Sequence, residues 1–222
     1  LMQPGHHLIS PIHMPSITKE YLYALMKKKI QAIAYEFMRD KSNFFPFVSA
    51  MSEIAGSSAI LIGAELLSNA HNGRGMLLGG ISGVPAAKVV IIGAGVVGTF
   101  AARAALGLGA QISVFDNDVH RLSQLQNNIG QRVFNSVITP EILKRELAQA
   151  DLVLGAIHSR NGRTPVVVSE EMVASMKSGS VIIDISIDQG GCFETSNMTT
   201  LKNPTFVKHE VIHYCVPNIP SR

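Results

Sequence analysis

The chain has 222 residues, 46% of them hydrophobic and 16% charged, with a formal net charge of +3. That length supports one full domain core plus part of another, and the small charge, with no basic cluster beyond Lys27-Lys28-Lys29, argues against a nucleic-acid partner. Two cysteines, Cys192 and Cys215, and no basic-then-apolar leader speak against a disulfide framework and secretion, and point to a reducing cytoplasm.

The chain opens on Leu1 rather than Met and stops at Arg222 just past a proline-containing strand exit, which reads as an excised piece. Residues 1–46 carry one helical segment at 18–26, a strand-like Ile30-Gln31-Ala32-Ile33-Ala34-Tyr35 and a polar turn at Asp40-Lys41-Ser42-Asn43. This is too little to fold alone and is expected to be a fragment of a second domain. Residues 47–222 are expected to form the main domain. A helix over 52–67, opening on a Ser52 cap, leads to a glycine-rich loop at 73–83.

From Lys88 onward strands and helices alternate. Strands are predicted at 88–92, 111–116, 132–134, 151–156, 181–186 and 206–216, with helices behind Gly98, at 119–128, from the Thr139-Pro140-Glu141 cap, and at 169–177. Short connections between alternating elements imply a doubly wound parallel α/β sheet whose ligand lies at the carboxyl ends of its strands. The apolar run around 88–103 is bracketed by Lys88 and Arg103, short of the ~18 residues a membrane span needs, so no membrane is expected there.

Gly93-Ala94-Gly95-Val96-Val97-Gly98 forms G-x-G-x-x-G between the first of these strands and an Ala-rich helix. Gly93 would allow a tight turn, Gly95 would let a pyrophosphate approach bare backbone, and Gly98 would let helix and strand pack closely. The phosphates would sit on the helix's free N–H groups at the positive end of its dipole. Small residues alone also occur wherever a helix crosses a strand closely. The second strand, however, ends in Asp116, where this fingerprint places the ribose acceptor, roughly 20 residues past the glycines. A carboxylate there repels a ribose phosphate and favours NAD over NADP, whereas Arg121 nearby could tolerate that phosphate.

His209-Glu210-Val211-Ile212-His213 spells H-E-x-x-H with Cys215 two residues on. Zinc chemistry needs both histidines on one helical face. The flanks are β-branched and aromatic and Pro217 ends the run, so the segment is read as a strand, its histidines as partners of polar groups at a sheet surface, and no metal is expected. Two further residues carry possible chemistry. His13, among apolar neighbours, reads by type as a hydrogen-bonded core residue, and Asp188, before Gly190 and Gly191, as either a turn-forming residue or a catalytic group at a strand's carboxyl end.

Three separated motifs, Met51-Ser52-Glu53-Ile54-Ala55-Gly56, Ile187-Asp188-Gln189-Gly190-Gly191-Cys192-Phe193-Glu194 and His213-Tyr214-Cys215-Val216-Pro217-Asn218, stand in order around the glycine fingerprint. Together they resemble the alanine dehydrogenase branch of the alanine dehydrogenase and pyridine nucleotide transhydrogenase family. The resemblance implies a Rossmann-type NAD-binding domain and reversible oxidative deamination of L-alanine to pyruvate and ammonia. It makes His13 the general acid/base and Asp188 the group that orients water and stabilises cationic intermediates. It further implies a cofactor cradle of Ser52, Val96, Val97, Asp116, Arg121, Ile138, Ile157, His158, Ile185, Ser186, Ile187, Asp188, Val216, Pro217, Asn218 and Ile219. Pro11 and Pro15 beside His13, Ile138 in place of a polar residue and His158 in place of an apolar one depart from the family's common pattern. The family's carboxylate-binding Arg and Lys lie in an N-terminal segment outside these residues, and its members suggest a homohexamer. Two other readings stand beside this one: the NAD(H) domain of a transhydrogenase, or a non-catalytic NAD-sensing module on the same fold.

Overall fold

The computed structural model describes residues 2–12, 17–159 and 162–222. The chain divides into two compact units, Leu1–Met51 and Ser52–Arg222.

In the first unit, β1 (His7–Ser10), α1 (Lys19–Lys27) and β2 (Gln31–Ala34) make a single βαβ crossover, the two strands pairing in parallel from His7 opposite Gln31 to Ser10 opposite Ala34. The hydroxyl of Thr18 accepts the Tyr21 N–H at 3.3 Å and caps α1. β1 was not expected, because a four-residue stretch between a glycine turn and Pro11 carries too little periodicity to register as a strand. The unit buries little: among its described residues only Leu25 belongs to a buried core, while Tyr23 and Met26 on the same helix are exposed.

α2 (Pro46–Leu66) spans the boundary between the units and starts earlier than the expected Ser52 cap. Pro46, with its fixed φ, opens the helix, and Ser52 lies inside it. This helix is long and apolar enough to cross a membrane by composition alone. Yet within the second unit its Ala59, Ile60, Ile62 and Leu66 are buried in the same core as the strands.

The second unit is built on β3 (Lys88–Ile92), α3 (Val96–Gly107), β4 (Gln111–Phe115), α4 (Val119–Ile129), β5 (Phe134–Ser136), α5 (Pro140–Gln149), β6 (Leu152–Gly155), α6 (Glu170–Ala174), β7 (Val181–Asp184), β8 (Thr205–Lys208) and β9 (Val211–Tyr214). The sheet order is β5-β4-β3-β6-β7-β9-β8. All neighbours are parallel except β8, which runs antiparallel to β9. This is the Rossmann-type doubly wound arrangement, with the order reversing between β3 and β6.

Two layers of core enclose the sheet, as its apolar strands require. In β3, Val89 and Ile91 face one layer with Ala101, Ala102, Ala105 and Leu125, while Val90 and Ile92 face the other with Phe115, Leu143 and Leu147. Full burial of a side chain such as Leu143 or Leu147 contributes about 1.5–3 kcal/mol. The alanines of α3 let that helix lie close to the sheet. Gly56 of α2 sits closer still, since a Cβ there would fall 2.2 Å from the Val97 carbonyl oxygen.

The predicted single strand over 206–216 is instead a hairpin. His209 and Glu210 both adopt left-handed conformations, φ 52° and 59°, and turn the chain between β8 and β9. β-branched flanks concealed this turn, because neither residue is the glycine or asparagine that usually announces it. The third strand lies at Phe134–Ser136 rather than two residues earlier. α6 is shorter than expected and is capped by Ser169, whose Oγ accepts the Met172 N–H at 3.3 Å.

Candidate nucleotide-binding site

The six parallel strands, β3, β4, β5, β6, β7 and β9, deliver their carboxyl ends to one edge, and the candidate residues of the second unit gather there. At the centre is the turn from β3 into α3. Gly93 has φ +116° and passes so close to the β6 exit that a Cβ would lie 2.4 Å from the Ala156 carbonyl oxygen. A Cβ on Gly98 would lie 1.8 Å from the Gly93 oxygen, so no side chain fits between helix and turn. Gly95, by contrast, faces open space. These are the conditions for an anion to approach bare backbone at the start of α3, where Val96 and Val97 form the first turn. Ser52 stands one helical turn before Gly56, on the face of α2 that abuts Val97.

Beyond this turn lies a cleft of about 660 Å³ lined by Gly93, Asp116, Asn117, Arg121, Ile138 and His158, among others. Asp116 follows β4 directly. Its Oδ2 accepts the Ala94 N–H at 2.7 Å and its Oδ1 accepts the Asp118 N–H at 2.8 Å, which fixes the carboxylate at the cleft mouth with a lone pair to spare on each oxygen. Arg121 lies between two acids, 3.9 Å from Asp116 Oδ2 and 3.5 Å from Asp118 Oδ2. Ile138 donates its N–H to the Asn117 side chain at 3.2 Å, holding the β5 exit against the β4 exit.

The β6, β7 and β9 exits complete the edge. Ile157 and His158 follow β6, with His158 exposed along the cleft. After β7 the chain makes a tight 3-10 turn, Ile185–Gln189, in which Ser186 and Ile187 are buried and Asp188 is exposed. Ser186 Oγ donates to the Ile157 carbonyl at 2.8 Å. Val216, Pro217, Asn218 and Ile219 follow β9, and Asn218, in a left-handed conformation, donates its N–H to Asp188 Oδ2 at 3.4 Å. The second unit thus brings together every candidate from Ser52 to Ile219. His13 lies outside the described residues.

Three residues of this edge have no role in the sequence reading: Asn117, Asp184 and Gln189. Asp184 is fully buried at the end of β7, accepting from Ser186 N–H at 3.0 Å, Cys192 N–H at 2.9 Å and Ser196 Oγ at 2.6 Å. Burial pushes its carboxyl above the usual range against the pull of these bonds. A carboxylate inside the apolar run Val181-Ile182-Ile183-Asp184 was the available signal, since a buried acid must be hydrogen-bonded.

The H-E-x-x-H histidines do not share a helical face. His209, in the hairpin turn, pairs with Glu170 Oε1 at 2.7 Å. His213 is fully buried in β9 rather than at the sheet surface. Its Nδ1–H donates to the Val211 carbonyl at 2.9 Å, so its Nε2 accepts the Thr195 hydroxyl at 2.8 Å, and the ring stacks on Phe206. Burial holds His213 below the ordinary histidine pKa. Among the described residues no three His, Cys, Asp or Glu side chains are grouped to hold a metal ion.

Residues 59–222 match the family model described as alanine dehydrogenase/PNT, C-terminal domain. Alanine dehydrogenase 2 of Staphylococcus aureus strain USA300 is 46% identical over 218 residues, an alignment that covers 98% of this chain and 58% of the relative. A solved L-alanine dehydrogenase superposes with a TM-score of 0.91 at 42% identity, covering 99% of this chain and 60% of the other. A transhydrogenase from Sinorhizobium meliloti, at 24% identity and a TM-score of 0.80 over 99% of this chain and 63% of the other, shares the fold. The chain therefore spans about three-fifths of the length of the alanine dehydrogenases it matches. With its glycine turn, its strand order and this match running over residues 59–222, the chain belongs to the alanine dehydrogenase and pyridine nucleotide transhydrogenase family, whose C-terminal, pyridine-nucleotide-binding domain it contains.

Proposed function

We propose that the carboxyl edge of the sheet binds NAD(H), in preference to NADP(H), in the reversible oxidative deamination of L-alanine to pyruvate and ammonia. The observation that carries the cofactor reading is Asp116, fixed by two backbone N–H groups beside the open face at Gly95. A ribose diol can donate to its remaining lone pairs, while a ribose phosphate would meet a second anion. Arg121 offers such a phosphate little, being already held between Asp116 and Asp118. Substrate and reaction rest on the likeness to named alanine dehydrogenases, and turnover is proposed for a protein of their full length.

When bound, NAD supplies the acceptor for the hydrogen and electron pair leaving the substrate's α-carbon. The chain's own residues do the rest. The backbone at Gly95, Val96 and Val97 would hold the diphosphate, and Ile138, Ile157 and His158 would wall the nucleoside. Asp188, exposed and positioned by the Asn218 N–H, would orient water and offset positive charge on substrate nitrogen. His13 would move protons as general acid/base. The family likeness extends the proposal to a homohexamer in the cytoplasm.

Calorimetry with NAD⁺ and NADP⁺ tests the cofactor reading on residues 1–222 themselves. NAD⁺ is expected to bind more tightly, and Asp116→Ala to lose about 1.5–3 kcal/mol of that affinity together with the discrimination. Equal affinities in the parent chain would remove Asp116 from the ribose.

A further inference from the structure

Two segments of the site, one on the cleft wall and one carrying Asp188, are joined in part through a side chain that the proposed chemistry does not use. Gln189 Oε1 accepts the Ser159 N–H at 3.0 Å, and Gln189 Nε2 donates to the Ser159 carbonyl at 3.0 Å. The amide therefore completes both backbone hydrogen bonds of one residue, as a neighbouring strand would. Reversing it would set N–H against N–H and oxygen against oxygen, so its orientation is fixed. Thr164 adds to the joint, donating its N–H to the Gln189 carbonyl at 2.9 Å and lying 3.4 Å by its hydroxyl from Gln189 Oε1. On the other side of the same 3-10 turn, Ser186 Oγ holds the Ile157 carbonyl at 2.8 Å.

We propose that Gln189 is a positioning residue that locks residues 157–159 of the cleft wall to the Ile185–Gln189 turn, so that nucleotide affinity and the placement of Asp188 are set together. This rests on the nucleotide reading of the cleft. Its physical basis is that Ile157 and His158 belong to no helix or strand, and an irregular segment keeps one position only if its backbone groups are satisfied. The amide of Gln189 and the hydroxyl of Ser186 satisfy three of those groups from one five-residue turn. The turn itself is held from inside by Asp184. A nucleoside pressing on Ile157 and His158 thus presses on the backbone that bears Asp188.

Gln189→Glu gives a test specific to this geometry. An ionised glutamate accepts from the Ser159 N–H but sets an anion against the Ser159 carbonyl; a protonated one donates there and reproduces the amide. Among the described residues, the charged and titratable groups nearby are Asp188 in the same turn, Asp184 inside it, His158 on the facing segment, and Arg163, whose Nε would stand 2.9 Å from a Cβ at Gly190. Gln189→Ala keeps all of them and serves as the control at each pH. NAD⁺ binding is measured by calorimetry at pH 8 and pH 5 for the parent chain and both variants, with far-ultraviolet circular dichroism to verify folding. At pH 8 both variants should bind about tenfold more weakly than the parent, the effect of losing a pair of ordinary hydrogen bonds. At pH 5 Gln189→Glu should regain part of that loss, as the glutamate begins to take up its proton, while Gln189→Ala does not, a recovery that loss of packing alone would not produce. Parent-like binding by both variants at pH 8, or no recovery of Gln189→Glu relative to Gln189→Ala, overturns the proposal while leaving the nucleotide site standing. Absence of NAD⁺ binding by the parent chain overturns the nucleotide reading and this inference with it.

Discussion

The two ends of the parallel sheet handle buried acids in opposite ways. At the amino end, Asp151 precedes β6, accepts the Lys88 N–H at 2.9 Å, and is closed off by Lys177 at 2.8 Å and Arg74 at 3.2 Å. At the carboxyl end, Asp184 has no cation within ion-pair distance among the described residues and relies on N–H and O–H donors, Asp116 lines the cleft and Asp188 is exposed. The amino end is a neutralised clasp. The carboxyl end is an array of backbone donors and spare acceptors, because there β3 runs into the start of α3, whose first N–H groups have no partner within the helix. One fold therefore separates stability from binding along its strand axis.

The largest expected effect lies at the open end. In a full-length protein carrying this chain, Asp188→Ala or His13→Ala should lower alanine turnover by about 10²–10⁴-fold while NAD⁺ affinity changes by only a modest factor. Steady-state kinetics across the pH range, paired with calorimetry, checks this. Near-normal turnover in either variant would withdraw that residue from the chemistry.

The closed end should respond in the reverse sense. Asp151→Ala leaves Lys177, Arg74 and the Lys88 N–H without their common acceptor, and should cost about 3 kcal/mol of folding stability. Both cations are about one-third exposed, which places the expected cost at the low end of the range for broken buried pairs. Denaturant unfolding measures it. NAD⁺ affinity should be unchanged, and a loss as large as that of Asp116→Ala would erase the division between the two ends.

The smallest effect is a pH slope. His213 is neutral in the fold and its pKa is held below the ordinary value, so between that lowered pKa and about 6.5 the unfolded chain binds a proton that the native state does not. Its contribution is present above about pH 6.5 and is lost as pH falls, by up to about 1.4 kcal/mol per pH unit. His213→Ala should be less stable at neutral pH, leaving the Thr195 hydroxyl without its ring partner, and should lose this component of the slope. An identical slope in parent and variant would mean that the ring titrates alike in both states.

Much of the edge was legible because it depends on local chemistry. Gly93, Gly95 and Gly98 are set by the turn they form, and Asp116 by its place after a β-branched strand. Gln189 was not legible as a site-shaping residue, since its partner Ser159 is distant in sequence and no pattern along the chain announces a hydrogen bond across loops. The same limit hid β1, whose identity as a strand depends on pairing with β2.

The sequence by itself determined the alternation of strands and helices, the glycine turn and the acid that follows β4, because periodicity, β-branching and backbone freedom act over a few residues. Only the tertiary structure decided that the sixth strand is a hairpin, that the amino end is sealed by Asp151 and its cations, and that the β6 and β7 exits are joined through Gln189. Those features depend on which distant groups the sheet order places side by side, a matter of packing that the local chain does not encode.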